Sequence, residues 1–254
     1  MKSDACLISI SIVSHGQIAL ISDLLADIDR YCSGLSLEVL LTLNIDERNE
    51  VDFTQFVFPI VVVKNERPKG FGANHNQAFR LAGGDFFCVL NPDVRLSANP
   101  FPFLCDILSN PVIGVCAPLV LNSEGGVEDS ARRFPSPLSL LKKIIWSKRE
   151  EDYKVDREII FPDWVGGMFM LFRSSTFTEL SGFDERYFLY YEDVDLCARL
   201  NILGMRVVLV STTSVIHLAQ RASHRNLKYM RWHISSMLRF FLSRNYWRLS
   251  WRSL

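Results

Sequence analysis

The sequence predicts an α/β fold, one domain built on a mostly parallel central sheet with helices on both faces. Two observations carry this. Short runs rich in β-branched and aromatic residues alternate with helical patterns at the rhythm of βαβ units. The runs "IVVV" and "FFCVL" are continuous rather than alternating, as strands covered on both faces are.

The elements follow in order. "CLISISIV" (6–13) reads as a first strand ending at "SHGQ". Residues 19–32 set Leu20, Leu24, Leu25, Ile28 and Tyr31 at helical spacing, with acids on the other face. "LEVLLTLN" (37–44) and "FPIVVVKN" (58–65) are the second and third strands, both expected to be buried. The Gly-rich "PKGFGANHNQA" fails as a dinucleotide fingerprint, because His75 stands where a third glycine belongs. Two readings stay open for it: a helix near Ala73 offering free N–H groups to a ligand, or a loop capped by Asn74. "DFFCVLN" (85–91) is the fourth strand, 99–110 a helix and 112–121 another strand. Residues 122–163 are polar and charged, with Pro135 and Pro137, and are expected to form a flexible excursion over the active face. Residues 163–177 restore an apolar strand, 190–204 form a helix stopped by Gly204, and "RVVLV" (206–210) is the last strand, leading to "STTSVIH".

Bulk properties narrow the function. The 254 residues carry 28 basic and 28 acidic side chains, which argues against a nucleic-acid partner. Six cysteines are scattered with no C-x-x-C pair, so neither a disulfide frame nor a zinc site is expected, and reduced thiols point to a cytoplasmic protein. No secretory signal and no run of roughly 18 apolar residues stands out.

In an open parallel sheet, ligands gather outside the carboxyl ends of the strands. Read off the sequence, those tips carry Ser14 and His15, then Thr42, Asn44 and Asp46, then Asn65 to Arg67, then Asn91 and Asp93. This is a hydrogen-bonding cleft with little net charge, suited to a base, a ribose and phosphates. Asn91-Pro92-Asp93 is the sharpest tip. An Asp oxygen suits Mg²⁺ or Mn²⁺, although the same three residues also make an ordinary strand-ending turn. "GFDERYFLYYEDVDL" holds five carboxylates between Asp184 and Asp195. Its aromatic walls would raise a carboxylate pKa toward general-base use, while a helix dipole alone also favours acids in a first turn.

"ISIVSHG", "KGFGANHNQAF", "GDFFCVLNPDV", "WVGGMFMLFRSSTF", "GFDERYFLYYEDVDLCARL" and a late "VIH" occur together in this order. As a set they resemble the family 2 glycosyltransferases, and more narrowly the rhamnosyltransferase-like branch that builds bacterial surface polysaccharides, O-antigen among them. The resemblance runs from about Ile8 to His217. It implies a GT-A fold over residues 1–217, a single Rossmann-like domain, and an inverting, metal-dependent transfer of a sugar such as rhamnose. The donor would be dTDP- or UDP-linked and the acceptor a glycan or lipid-linked glycan.

By the same resemblance, Asp93, with Asn91 in support, should hold the Mg²⁺ or Mn²⁺ that bridges the donor diphosphate, and His217 is a candidate late ligand. Asp193 matches the catalytic base and Glu192 its companion. Gly166 and Gly167 line the acceptor side of the sugar, with Asp195 and Arg199 as supporting residues. Ser14, His15, Thr42, Asn44, Asp46, Arg67, Gly72 and Asn76 fall to the donor side. One departure concerns the base: many relatives end the second strand in Asp-Asn, and here Leu43 takes the Asp position.

Residues 218–254 form a basic segment with no Asp or Glu, in which Leu227, Met230, Ile234, Leu238 and Phe241 recur at helical spacing. Such a helix suits peripheral contact with an anionic membrane, which would put the protein at the cytoplasmic face of the inner membrane beside a lipid-linked acceptor. The alternatives are packing on the domain, or on a second copy in a homodimer. A rival for the whole chain is a catalytically inactive sugar-nucleotide-binding protein of the same fold.

Overall fold

Residues 6–47, 51–137, 152–218 and 227–252 are described in a computed structural model of the chain. β1 (Ile8–Ser14), β2 (Leu37–Leu43), β3 (Ile60–Lys64) and β4 (Phe86–Leu90) run parallel in the order β3-β2-β1-β4. Ser14 pairs with Leu43 and Leu43 with Lys64, so these three tips end level. The sheet then continues through β10 (Phe169–Arg173), β6 (Ile113–Leu121), β11 (Arg206–His217) and β5 (Val94–Leu96). β10 is antiparallel to both its neighbours, β11 is parallel to β6, and β5 is antiparallel to β11. β8 (Ile159–Ile160) pairs with the other half of the β11 edge, and β7 (Ala131–Arg132) pairs with β9 (Trp164–Val165) in a small second sheet.

Alternate side chains along the strands feed two cores, as the pleat requires. On one face Ile10, Ile12, Val39, Cys88 and Leu90 meet Leu24, Leu25 and Ile28 of α1 (Ile18–Tyr31) and Leu104 of α3 (Phe101–Leu108). On the other, Leu40, Phe87, Val89, Met170 and Phe172 meet Ala78 of α2 (Phe71–Phe79), Phe177 of α4 (Ser174–Glu179) and Leu196 of α5 (Glu192–Ile202). The α/β fold with helices on both faces is thus present.

Several elements differ from the sequence expectation. β3 is not buried: it is the sheet edge, and Val61 and Val62 are exposed. α1 does not keep all its acids outside, because Asp27 is buried and takes Arg95 Nη2 at 2.9 Å and the Leu96 amide at 3.0 Å. Residues 163–177 are not one strand; Gly166 and Gly167 part β9 from β10. β11 runs through "STTSVIH" to His217, with a register shift between Val210 and Ser214. Of the expected excursion, residues 138–151 lie outside the described residues. The cysteines are free, and burial pushes the Cys32 and Cys105 thiols up to about 12.

The C-terminal segment is two helices, α6 (Leu227–Phe241) and α7 (Arg244–Arg252). Ser243 restarts the chain by accepting the Tyr246 N–H at 3.1 Å, a side-chain N-cap. The hairpin packs on the body through Phe240 against Tyr191, Ser236 Oγ donating to the Leu189 carbonyl at 2.9 Å, and Asn245 Nδ2 donating to Asp195 at 2.9 Å. Leu227, Met230, Ile234 and Leu238 of the expected stripe are exposed, but Phe241 is half-buried against Tyr246 and Leu242 is exposed in its place, while Phe240 is fully buried. Among the described residues no helix is long and apolar enough to cross a membrane.

Candidate active site

The turn after β4 and the start of α5 meet through two residues of the loop before β10. The Asn91 amide donates to the Met168 carbonyl at 2.9 Å, and the Gly167 amide donates to Asp193 Oδ2 at 3.1 Å. Asn91-Pro92-Asp93 and Glu192-Asp193 therefore face one end of the sheet, although about a hundred positions separate them in sequence.

α5 starts abruptly. Tyr190 and Tyr191 hold φ of 69° and 67°, left-handed values that bulky residues adopt only where surroundings force them. Tyr191 is pinned by Phe240 and His233 of α6. The helix then begins at Glu192, with Glu192 and Asp193 side by side. Burial raises both carboxyls, and the two oppose each other's ionisation. Asp193 is relieved by the amides of Val194 at 2.8 Å and Gly167, and by the positive charge of Arg132. Glu192 has a buried oxygen with no partner. The two carboxyls therefore compete for one charge, and the Val194 and Gly167 amides with Arg132 favour placing it on Asp193.

At the other corner Asp93 is buried, and its Oδ1 has no partner. Its Oδ2 lies 3.4 Å from His217 Nε2, because the antiparallel pairing of β5 and β11 sets His217 opposite Val94. Burial alone lowers the His217 pKa, yet Asp93 and Glu128 outweigh it and hold the pKa above the usual value. A hard oxygen with an unused lone pair beside an imidazole nitrogen fits a divalent cation. Among the described residues no group of three His, Cys, Asp or Glu could hold an ion alone, so Asp93 and His217 would need Asn91 or the donor's own oxygens to complete a shell.

The remaining expected residues sort into two groups. His15, Asp46 and Arg67 are exposed at the tips of the parallel strands, and Asn44 bridges β2 to the loop after β3. Asn44 Oδ1 accepts from Lys69 N at 2.8 Å and Asn65 Nδ2 at 2.9 Å, while its Nδ2 reaches Lys69 O and His15 Nδ1. Its hydrogen bonds therefore shape the loop. Thr42 Oγ1 is buried without a partner, and Ser14 Oγ caps the Gln17 amide.

Gly72 and Asn76, expected on the donor side, are held by packing and hydrogen bonds within the fold. A Cβ on Gly72 would stand 2.6 Å from Phe183, and Asn76 is bound to the Phe183 N–H and C=O and to Glu185. Asp195 and Arg199 are likewise committed within the fold. Both Asp195 oxygens are taken, by Arg199 and Asn245, and Arg199 also donates to the Leu180 carbonyl. The Gly-rich segment is a helix from Phe71 with Gly70 at its N-cap, where a Cβ would strike the Phe188 carbonyl at 2.6 Å. His75 lies inside it as a buried neutral ring at about 3, bound to Ser11 Oγ at 2.8 Å.

The model of the glycosyl transferase family 2 matches residues 9–177, well over half of the chain. The chain belongs to this family.

Its relatives refine the placement of this glycosyltransferase. The rhamnosyltransferase WbbL of Escherichia coli K12 is 30% identical over 71% of this chain and 75% of its own length. The N-acetylglucosaminyl-diphospho-decaprenol L-rhamnosyltransferase of Mycobacterium tuberculosis is 32% identical over 65% of this chain, which spans only 58% of that enzyme. The glycosyltransferase is thus rhamnosyltransferase-like and of the kind found in polysaccharide biosynthesis. In fold it is similar to a mannosyltransferase of Pyrobaculum calidifontis solved with GDP-Man and Mn²⁺, with a TM-score of 0.60, 14% identity, and coverage of 98% of this chain and 73% of that one. It is also similar to GalNAc-T7 solved with UDP, GalNAc and Mn²⁺, with a TM-score of 0.62, 14% identity, and coverage of 86% and 45%. The GT-A fold is shared with both.

Two residues beside the candidate site carry no sequence signal. Arg132, ion-paired with Asp129 at 2.6 Å, faces Asp193 electrostatically, and Glu128 binds His217. Both lie in the aperiodic stretch after β6, where nothing local marks them.

Proposed function

We propose that this glycosyltransferase moves a sugar, rhamnose in the first instance, from a dTDP- or UDP-linked donor to a hydroxyl of a lipid-linked glycan, with inversion. The observation that supports this is the Asn91–Met168–Gly167–Asp193 chain of contacts. It brings the half-buried Asp193 carboxyl to the same sheet end as the orphaned Asp93 oxygen.

Asp193 acts as general base. Its carboxylate takes the proton of the acceptor hydroxyl, the hydroxyl oxygen bonds to the anomeric carbon, and the carbon–oxygen bond to the diphosphate breaks with its electron pair leaving on the nucleoside diphosphate. Attack from the face opposite the leaving group inverts the centre. Glu192, more deeply buried and with one oxygen unpartnered, takes a proton more readily and so favours the charge on Asp193. The Gly167 and Val194 amides hold the carboxylate still. Asp93, with His217 and supporting Asn91, would hold Mg²⁺ or Mn²⁺, which when bound neutralises charge on the leaving diphosphate. His15 and the Asn44 loop face the nucleoside end, where Leu43 replaces an acidic base reader.

The exposed row from Leu227 to Leu242, on helices rich in Arg, is the membrane contact that brings the site to a lipid-linked acceptor. A thermal-shift panel of UDP-, dTDP- and GDP-sugars with Mn²⁺ or Mg²⁺ tests the donor. A cognate donor at about 100 times its Kd adds about 2.7 kcal/mol to stability. Asp93→Ala should abolish the metal-dependent part of that shift. No shift with any donor would refute the reading.

A further inference from the structure

The His217 ring has two nitrogens in two different surroundings. Nε2 faces Asp93, while Nδ1 lies 2.8 Å from Glu128 Oε2. Glu128 reaches it across 89 positions and is held firmly on its own side. Its amide donates to the Val120 carbonyl at 2.8 Å and its carbonyl accepts the Ser130 amide at 2.8 Å. The preceding turn is closed by Asn122, whose Oδ1 accepts the Glu124 and Gly126 amides at 2.9 Å. The carboxylate is therefore delivered by a rigid turn at the end of β6, next to the strand that carries His217.

A neutral imidazole has one N–H and one lone pair, and which nitrogen carries which is set by its hydrogen bonds. A carboxylate accepts only, so Glu128 requires the hydrogen on Nδ1. A cation seated between Nε2 and Asp93 would then take the Nε2 lone pair in place of the ring's second proton. Nε2 and Asp93 Oδ2 lie 3.4 Å apart, close enough that both would reach one cation. Asp93 Oδ1 adds an oxygen that nothing in the protein uses.

We propose that Glu128 is a positioning residue for the donor-side cation: it accepts the Nδ1–H of His217 and so presents Nε2, together with Asp93, to the metal. This rests on the metal-dependent reading given above. Glu128 touches neither sugar nor diphosphate in this role; it acts through the ring.

The test is calorimetric titration of the full chain with UDP and with dTDP, each with and without Mn²⁺. Glu128→Ala should lose about 10- to 100-fold in affinity for the Mn²⁺-loaded nucleotide, the usual effect of removing an outer partner of a metal-bound histidine. Its affinity for the metal-free nucleotide should not change. Glu128→Gln keeps an acceptor oxygen and should restore binding to within a few-fold of wild type. His217→Ala should show the same loss, and adding Glu128→Ala to it should cost little more. Glu128→Met, closer in size, serves if the alanine variant fails to fold. Unchanged Mn²⁺-dependent affinity in the folded variants overturns the proposal, as does an equal loss with and without metal. A wild-type chain whose nucleotide affinity ignores Mn²⁺ overturns the metal-dependent reading as well.

Discussion

The Gly167 amide points at Asp193 Oδ2 from 3.1 Å, and the same glycine lies under Phe71, whose ring would stand 3.0 Å from any Cβ added there. One residue thus donates to the carboxylate and admits the start of α2 close to it. Such donors favour the charged form of a half-buried carboxyl beside Glu192.

Asp193→Asn keeps the shape and removes the proton acceptor. Turnover should fall by about 10² to 10⁴, the usual worth of a general base, while donor affinity in a binding assay stays near wild type. In the wild type, kcat should rise with pH through a pKa above the ordinary aspartate value, because burial raises the Asp193 carboxyl. The residual activity of the variant should lack that limb. Near-normal turnover would remove Asp193 from the mechanism.

Glu192 gives a second handle, on stability. Burial and the neighbouring Asp193 charge raise its pKa well above the unfolded value, so the native state binds the extra proton. The stabilisation is fully present below the unfolded pKa and is lost as pH rises through the folded one. Glu192→Gln imitates the protonated acid. In urea unfolding followed across pH, the variant should show a weaker fall in stability toward alkaline pH. An identical slope in both proteins would mean that Glu192 is not the protonated partner.

How far the sequence disclosed this arrangement depends on the length of the signal. β1, β2, β4 and β6 are strong apolar runs and stand where they were expected. β5 is three residues long, too short for periodicity to register, yet it positions His217 next to Asp93. β3 has the same composition as a buried strand, but its place at the sheet edge is a property of the topology and not of "IVVV". The carboxylate-rich "YYEDVD" was visible as a cluster. Only packing separates Asp193, which meets Gly167, from Asp195, which one turn of helix aims at Arg199 and Asn245.

Gly182 tests the frame that carries the acidic segment. Its φ of +68° is left-handed, and a Cβ there would collide with Asn76 Oδ1, the atom that accepts the Phe183 amide at 2.8 Å. Gly182→Ala combines backbone strain with a damaged buried hydrogen bond, and should cost about 1 to 3 kcal/mol in denaturant unfolding. A midpoint equal to wild type would show that this turn relaxes freely.

The α6–α7 hairpin has two faces, and a test must separate them. Its inner face holds Tyr191 through Phe240, and Asp195 through Asn245, so deleting residues 226–254 would disturb the approach to Asp193 whatever the outer face does. The outer row is free of that duty: Leu238 and Leu242 are 52% and 80% exposed. Around it lie Arg231, Arg239, Arg244 and Arg248, with no acid anywhere after Asp195. Each basic residue near an anionic leaflet is worth about 1 kcal/mol. Leu238→Asp with Leu242→Asp should therefore preserve the unfolding midpoint and nucleotide binding, yet sharply reduce co-sedimentation with vesicles containing phosphatidylglycerol. Wild-type binding should weaken as salt rises and be much lower on purely zwitterionic vesicles. Equal sedimentation of variant and wild type would show that this row does not touch the membrane. A wild type that ignores vesicles but changes from dimer to monomer on the same substitutions would assign the face to a second copy of the chain.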